Sequence, residues 1–227
     1  MNKKVILLMS LMLLVGIVGF AIFVSANSMI ADNDFSYNVE VSVEKGWNII
    51  AGILPKEAIS GNSEIKVSNI KAVWYYPPKL KKYFQVHPNL DELSSQVDDD
   101  VALTSAMWVY SDKAGTLKYN TLEDYLPLSM RELSAGYNFV TITPDMTVDV
   151  NTASPEEEEK YTFNAMKGNC NIQKVYFFDN VRQQWGEFPL TEELDSNTVG
   201  NGVVVKVSND CKLSKPAQET NQPPNLP

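Results

Sequence analysis

Val43-Glu44-Lys45-Gly46-Trp47-Asn48-Ile49-Ile50 returns later in the chain as Leu133-Ser134-Ala135-Gly136-Tyr137-Asn138-Phe139-Val140. Asn69-Ile70-Lys71-Ala72-Val73-Trp74-Tyr75-Tyr76 returns as Asn171-Ile172-Gln173-Lys174-Val175-Tyr176-Phe177-Phe178, and Ala106-Met107-Trp108-Val109-Tyr110-Ser111 as Val203-Val204-Val205-Lys206-Val207-Ser208. The order is kept and the offsets stay close: 90 from Gly46 to Gly136, 102 from Asn69 to Asn171, 97 from Ser111 to Ser208. An internal repeat of this kind sets the architecture before any single residue is assigned.

The repeated segments are strand-like. Tyr37, Val39, Val41 and Val43 alternate with polar residues, as in a half-buried strand. Glu44-Lys45-Gly46 supplies a turn, and Trp47 to Ala51 resumes as a second strand. Ile70 to Tyr76 is β-branched and aromatic, Pro77-Pro78 ends it, and Tyr83 to Val86 reads as the return strand of a hairpin. Met107 to Ser111 and Leu117 to Tyr119 complete the first unit. Asn89 caps a short helix through Leu93, and Pro189 to Leu194 has the same helical role in the second unit. Ser154-Pro155-Glu156-Glu157-Glu158-Glu159 is a helix start, with acids at the positive end of the dipole, and predicts a helix to about Met166. The first unit has only Pro55 to Ser60 at that place.

The expected fold is mainly antiparallel β with short helices, as two tandem related β-rich modules after an N-terminal transmembrane helix. Residues 1–26 form the anchor or signal peptide, 35–119 the first module, 120–132 a linker helix, 133–213 the second module, and 214–227 a disordered Pro-rich tail.

Val5 to Val24 carries no charged residue and follows Lys3 and Lys4. About 20 apolar residues at about 1.5 Å each span a bilayer core of about 30 Å, and flanking lysines stay cytoplasmic. The length favours a retained single-pass anchor, whereas Val24-Ser25-Ala26 favours cleavage after Ala26 and secretion. Both place the body outside the cytoplasm. Cys170 and Cys211 are the only two cysteines; an exported chain makes a disulfide the default, with two buried thiols as the alternative.

Net charge is −9, which argues against a nucleic-acid partner. Each unit has a Gly for the turn, then an aromatic (Trp47, Tyr137), then an Asn able to bond nearby backbone (Asn48, Asn138). Trp74 and Tyr176 are followed nine residues on by Tyr83 and Trp185, a spacing that predicts a hairpin with these rings packed together. Such aromatics build two small cores, or else Trp47, Trp74, Tyr76, Trp108 and Tyr110 form an exposed platform for glycan or peptide. Rings on both faces of Trp74-Tyr75-Tyr76 require a second layer, the other unit or a partner, to cover one face.

These residues resemble modules of uncharacterised prokaryotic surface and S-layer-associated proteins: the Gly46-Trp47-Asn48 turn, a Tyr-rich strand, a Trp in the hairpin and a closing Trp108-Val109-Tyr110 strand. The second unit departs from the pattern, with Tyr137 for Trp47 and Val205 for Trp108. The resemblance implies an envelope protein and brings no catalytic residues.

Little else in the chain carries chemistry. His87 is the single histidine, so no His-pair metal site exists, and neither a Gly-x-Ser-x-Gly turn nor a phosphate loop is present. Asp98, Asp99 and Asp100 are a weak calcium candidate without an EF-hand loop, otherwise a solvated run. No cofactor is implied. The expectation is a membrane-anchored, non-catalytic structural or interaction protein whose partner is a protein or an envelope glycan; the alternatives are a pair of carbohydrate-binding modules and, behind it, an acid-pair surface hydrolase.

Overall fold

The computed structural model describes residues 38–89, 105–120, 128 and 131–215. The predicted membrane segment, the Asn89-capped helix beyond its cap, the Asp98–Asp100 run, most of the linker and the Pro-rich tail lie outside the described residues. Among the described residues no helix is long and apolar enough to cross a membrane.

The fold is mainly antiparallel β. The first half contributes β1 (Asn38–Val43), β2 (Gly46–Ala51), β3 (Ile70–Tyr75), β4 (Phe84–His87), β5 (Ala106–Ser111) and β6 (Gly115–Asn120). The second contributes β7 (Glu132–Leu133), β8 (Gly136–Thr141), β9 (Ile172–Asp179), β10 (Gln184–Phe188), β11 (Gly202–Val207) and β12 (Cys211–Lys212). The sheet orders are β2-β5-β3-β4 and β8-β11-β9-β10, with two-stranded ribbons β1-β6 and β7-β12 beside them. Strand for strand, this is one permutation used twice.

The register corrects one alignment. Gly46 lies opposite Ser111, and Gly136 opposite Val207, so the closing strand repeats at an offset of 96 (111 to 207) rather than 97. Trp74 faces Trp108 while Tyr176 faces Val204, which makes Val204, not Val205, the counterpart of Trp108.

The recurring Gly-aromatic-Asn turns are alike in detail. Gly46 and Gly136 hold φ of 117° and 112°, a region closed to most side chains. Asn48 Oδ1 accepts from the Glu44 N–H at 2.9 Å, and its Nδ2 donates to the Glu44 and Gly46 carbonyls. Asn138 repeats this with Ser134 and Gly136. Each buried amide side chain thereby satisfies its own turn, at about 1 kcal/mol per bond.

Alternation then sorts the side chains. Val39, Val41 and Val43 of β1, with Leu117 and Tyr119 of β6, cover Ile50, Val73, Tyr75, Met107 and Val109. In the second half Val203, Val205 and Val207 of β11 pack with Val140, Val175, Phe163, Met166, Leu194 and Cys170. Cys170 and Cys211 are joined in a disulfide, with Cα atoms 4.9 Å apart. It ties β12 to the loop before β9.

The segment after Ser154 is broken into pieces: α1 being Pro55–Ala58, it forms α2 (Pro155–Glu158), a 3-10 turn (Glu159–Tyr161) and α3 (Phe163–Met166). Ser154 caps it as predicted, accepting from Glu157 N–H, but Thr162 is extended and starts a new helix by accepting from Ala165 N–H. Thr162 also bridges to Glu193, which explains the break. Pro189 to Leu194 is a turn rather than a helix, and buries Leu194. Arg131, 1% exposed, pairs with Asp145 at 3.1 Å and donates to the Thr141 carbonyl and Thr143 Oγ1. Asp145 in turn accepts from the Leu128 N–H at 2.7 Å, so a buried ion pair anchors the entry to the second half.

Candidate functional site

The faces turned away from the two cores meet each other. Ile49, Ala106, Phe139 and Val204 are buried there, flanked by Tyr76, Trp108, Tyr176 and Phe178. These are pairs of equivalents: Ile49 with Phe139 at offset 90, Trp108 with Val204 at 96, Tyr76 with Phe178 at 102. The contacts are reciprocal as well. Ile50 bridges Asn201, and Ser105 bridges Val140, each bridge being the other with the halves exchanged. Reciprocity of this kind is the mark of an isologous interface, here within one chain. At its centre Gly202 approaches its own counterpart: a Cβ on Gly202 would lie 2.4 Å from Ala106 Cβ and from Ile49 Cγ2.

Of the sequence-predicted aromatics, Tyr76 and Trp108 flank this seam. Trp108 packs edge-on against Trp47 (5.9 Å between ring centroids), Phe178 (4.8 Å) and Trp185 (5.5 Å). Tyr110 joins through Trp47 at 5.1 Å, and Tyr76 through Phe139 at 5.5 Å. Trp74 stands opposite Trp108 on the same face. All five are half-buried. The second layer that rings on both faces of β3 require is the other half of the chain. Of the two expected hairpin pairs, Trp185 packs on Tyr176 at 6.4 Å, and also on Phe178 at 5.5 Å, whereas Tyr83 packs on Tyr76 at 5.0 Å and Trp74 is opposite Gln85.

Among the described residues the most exposed rings are ones that the sequence marks only as hairpin or turn residues: Tyr83 at 49%, Trp185 at 48% and Tyr137 at 46%. Tyr76 packs on Tyr83 and Phe139, and its hydroxyl is pushed above the ordinary tyrosine range by burial and then by Tyr83 and Tyr137. Lys206 Nζ sits 5.5 Å above the Tyr137 ring. On the outer edge Lys174 and Glu187 pair at 2.7 Å, which raises the lysine's pKa.

The seam has two sides that equivalence makes comparable. On one, the β9–β10 turn reaches the edge strand β2: Trp47 N–H donates to Gln183 Oε1 at 2.8 Å, and Gln183 Nε2 donates to the Trp47 carbonyl at 2.9 Å. Asn180 Nδ2 adds a bond to Asn48 Oδ1 at 3.1 Å. A single carboxamide thus imitates the pairing of a neighbouring strand. On the other side, at the same offset of 102, Pro78 and Lys81 replace Asn180 and Gln183. The turns are built alike, since Lys81 and Gln183 share the left-handed conformation (φ 51° and 54°). Neither replacement can form the amide bonds. Instead a small cleft remains, lined by Pro78, Leu133, Asn138, Phe139 and Val140 among others. The Gln183 amide was missed because turn amides read as solvated loop residues; its signal was the mismatch with Lys81 at an otherwise repeated turn.

Among the described residues no cluster of three or more His, Cys, Asp or Glu is arranged to hold a metal ion, and the Asp98–Asp100 candidate lies outside them. Comparison of the chain with protein families, with curated proteins and with solved structures gives no match.

Proposed function

We propose that the chain is a membrane-anchored, extracytoplasmic interaction protein of the cell envelope, and that its two halves are tandem copies of one β-rich module serving as a non-catalytic body. The observation that carries the reading is the Cys170–Cys211 disulfide, which needs an oxidising compartment to persist. The apolar run Val5 to Val24 after Lys3 and Lys4 supplies the tether, and the same orientation follows from its flanking charge. What recurs between the halves is turn and packing chemistry: Gly46 and Gly136, Asn48 and Asn138, Tyr76 and Phe178. The test is a C-terminal reporter active only outside the cytoplasm, together with thiol alkylation of intact cells. An active reporter and alkylation-resistant cysteines are expected; a silent reporter with both thiols labelled would sink the reading.

Half-exposed rings in both halves, Tyr83 with Tyr137 in one group and Trp185 in the other, favour one alternative, a pair of carbohydrate-binding modules in which sugar faces stack on them. Glycan-array binding lost in Trp185→Ala and Tyr83→Ala, with the fold retained, would establish it.

A further inference from the structure

We infer that the open edge of β8 at Gly136-Tyr137-Asn138 is a docking edge for an extended, acidic peptide segment of a partner protein. The inference deepens the reading of this chain as an interaction protein and rests on it.

The chain itself shows how such an edge is filled. On the equivalent edge, Trp47 offers an N–H and a C=O, and both are taken by the Gln183 carboxamide. A Cβ on Gly46 would lie 2.7 Å from Gln183 Oε1, whereas one on Gly136 would meet nothing within 4 Å. Among the described residues no side chain reaches the Tyr137 amide or carbonyl. β8 is the terminal strand of its sheet, so these outward groups are a template for another strand. The ring of Tyr137 stands 46% exposed above them, ready to cover an added side chain.

Charge selects the partner. Lys79, Lys81 and Lys82 are exposed on the turn that brings Pro78 to the cleft, and Lys206 lies over Tyr137. Of the acids beside this edge among the described residues, Glu132 pairs with Lys212 at 3.0 Å, and Asp210 accepts from the Ala135 N–H at 2.7 Å. One lysine over the Tyr137 ring and three on the turn that follows Pro78, on a chain of net charge −9, favour a segment carrying carboxylates on the residues that flank its pairing groups.

The probe is a capped peptide of alternating Glu and Val, titrated into the full-length protein in detergent and followed by amide shifts and fluorescence anisotropy. Binding is expected to move the Tyr137 and Lys82 amides, to weaken with added salt, and to fall by roughly tenfold or more for the Lys-Val counterpart. The same peptide N-methylated along its pairing edge should not bind. Pro78→Asn with Lys81→Gln transplants the latch from the closed side and should compete with the peptide, while Lys79→Gln with Lys82→Gln keeps the edge, removes two of the four positive charges and should weaken binding. The inference is overturned by shifts elsewhere than at β8, by equal binding of the methylated or Lys-Val peptide, or by binding undiminished in Pro78→Asn/Lys81→Gln. It is equally overturned if the Tyr137 amide is already protected in the free protein, if the chain self-associates through this edge, or if only glycans bind there. None of these outcomes bears on the reporter and alkylation test of location.

Discussion

The two halves use one strand plan and close it by different chemistry. In the first, the junction between β6 and the loop before β3 is held by polar groups: Glu64 accepts from the Thr116 N–H at 2.8 Å, and Asp112 accepts from Asn69 Nδ2 and pairs with Lys71. In the second, the same place holds a covalent bond. Cys170 stands at the position of Ser68 and Cys211 at that of Gly115, since Val43 pairs with Gly115 as Leu133 pairs with Cys211. The seam between the halves is equally uneven, latched by Gln183 at Trp47 and open at Tyr137. A repeated scaffold thus keeps its turns and strand order while its connections diverge.

The largest effect that can break this comparison is removal of the disulfide. Closing a loop of 41 residues stabilises by about 4 kcal/mol in the chain-entropy model. Cys170→Ser with Cys211→Ser should therefore lower the denaturation midpoint strongly, with hydrogen exchange rising first in β7, β9 and β12. Exchange rising equally in β1 and β6 would mean that the halves lack separate closures.

Next comes the seam. Trp108→Ala removes a half-buried ring packed on four others and should cost about 3 kcal/mol, whereas its counterpart Val204→Ala should cost about 2 kcal/mol by lost apolar area. Equal losses in urea titrations would contradict the unequal filling of the two sides. Gln183→Ala should cost about 1 kcal/mol, because its bonds lie near water, and Lys81→Ala close to nothing.

The smallest effect is one of pH. The Thr116 N–H bond holds the Glu64 carboxyl below its ordinary range, and the Lys71 and Asn69 bonds do the same for Asp112. A depressed folded-state pKa gives stability that is present above the unfolded value and lost as pH falls through the folded one. Exchange protection in β3 and β6 should then decline below about pH 4, while the disulfide holds β12. Reductant should reverse the order. A second half that loosens first in acid would refute the assignment.

Much of the plan was legible in the sequence because it depends on local chemistry. Positive-φ glycines, Asn side chains closing their own turns, alternation in β1 and the Ser154 cap are all settled within a few residues. Long-range pairing was not. In Val203-Val204-Val205 nothing internal marks which valine faces the core, and aligning Ser111 with Ser208 misplaced the register that pairing with Gly46 and Gly136 decides. Alternation showed that β3 has rings on both faces, but not that the other half covers one of them. Thr162 reads as an ordinary helical residue until its bridge to Glu193 forms. The Arg131–Asp145 pair needs the folded second half to bring its partners together, so neither charge announced burial.

Hydrogen exchange at two backbone amides tests the central claim most directly. Trp47 and Tyr137 occupy equivalent places at the edges of equivalent sheets, and differ in whether Gln183 reaches them. In the unmodified protein the Trp47 amide should exchange slowly and the Tyr137 amide fast, and Gln183→Ala should bring Trp47 to the Tyr137 rate. Equal protection of the two amides before the substitution, or no change at Trp47 after it, would contradict the account.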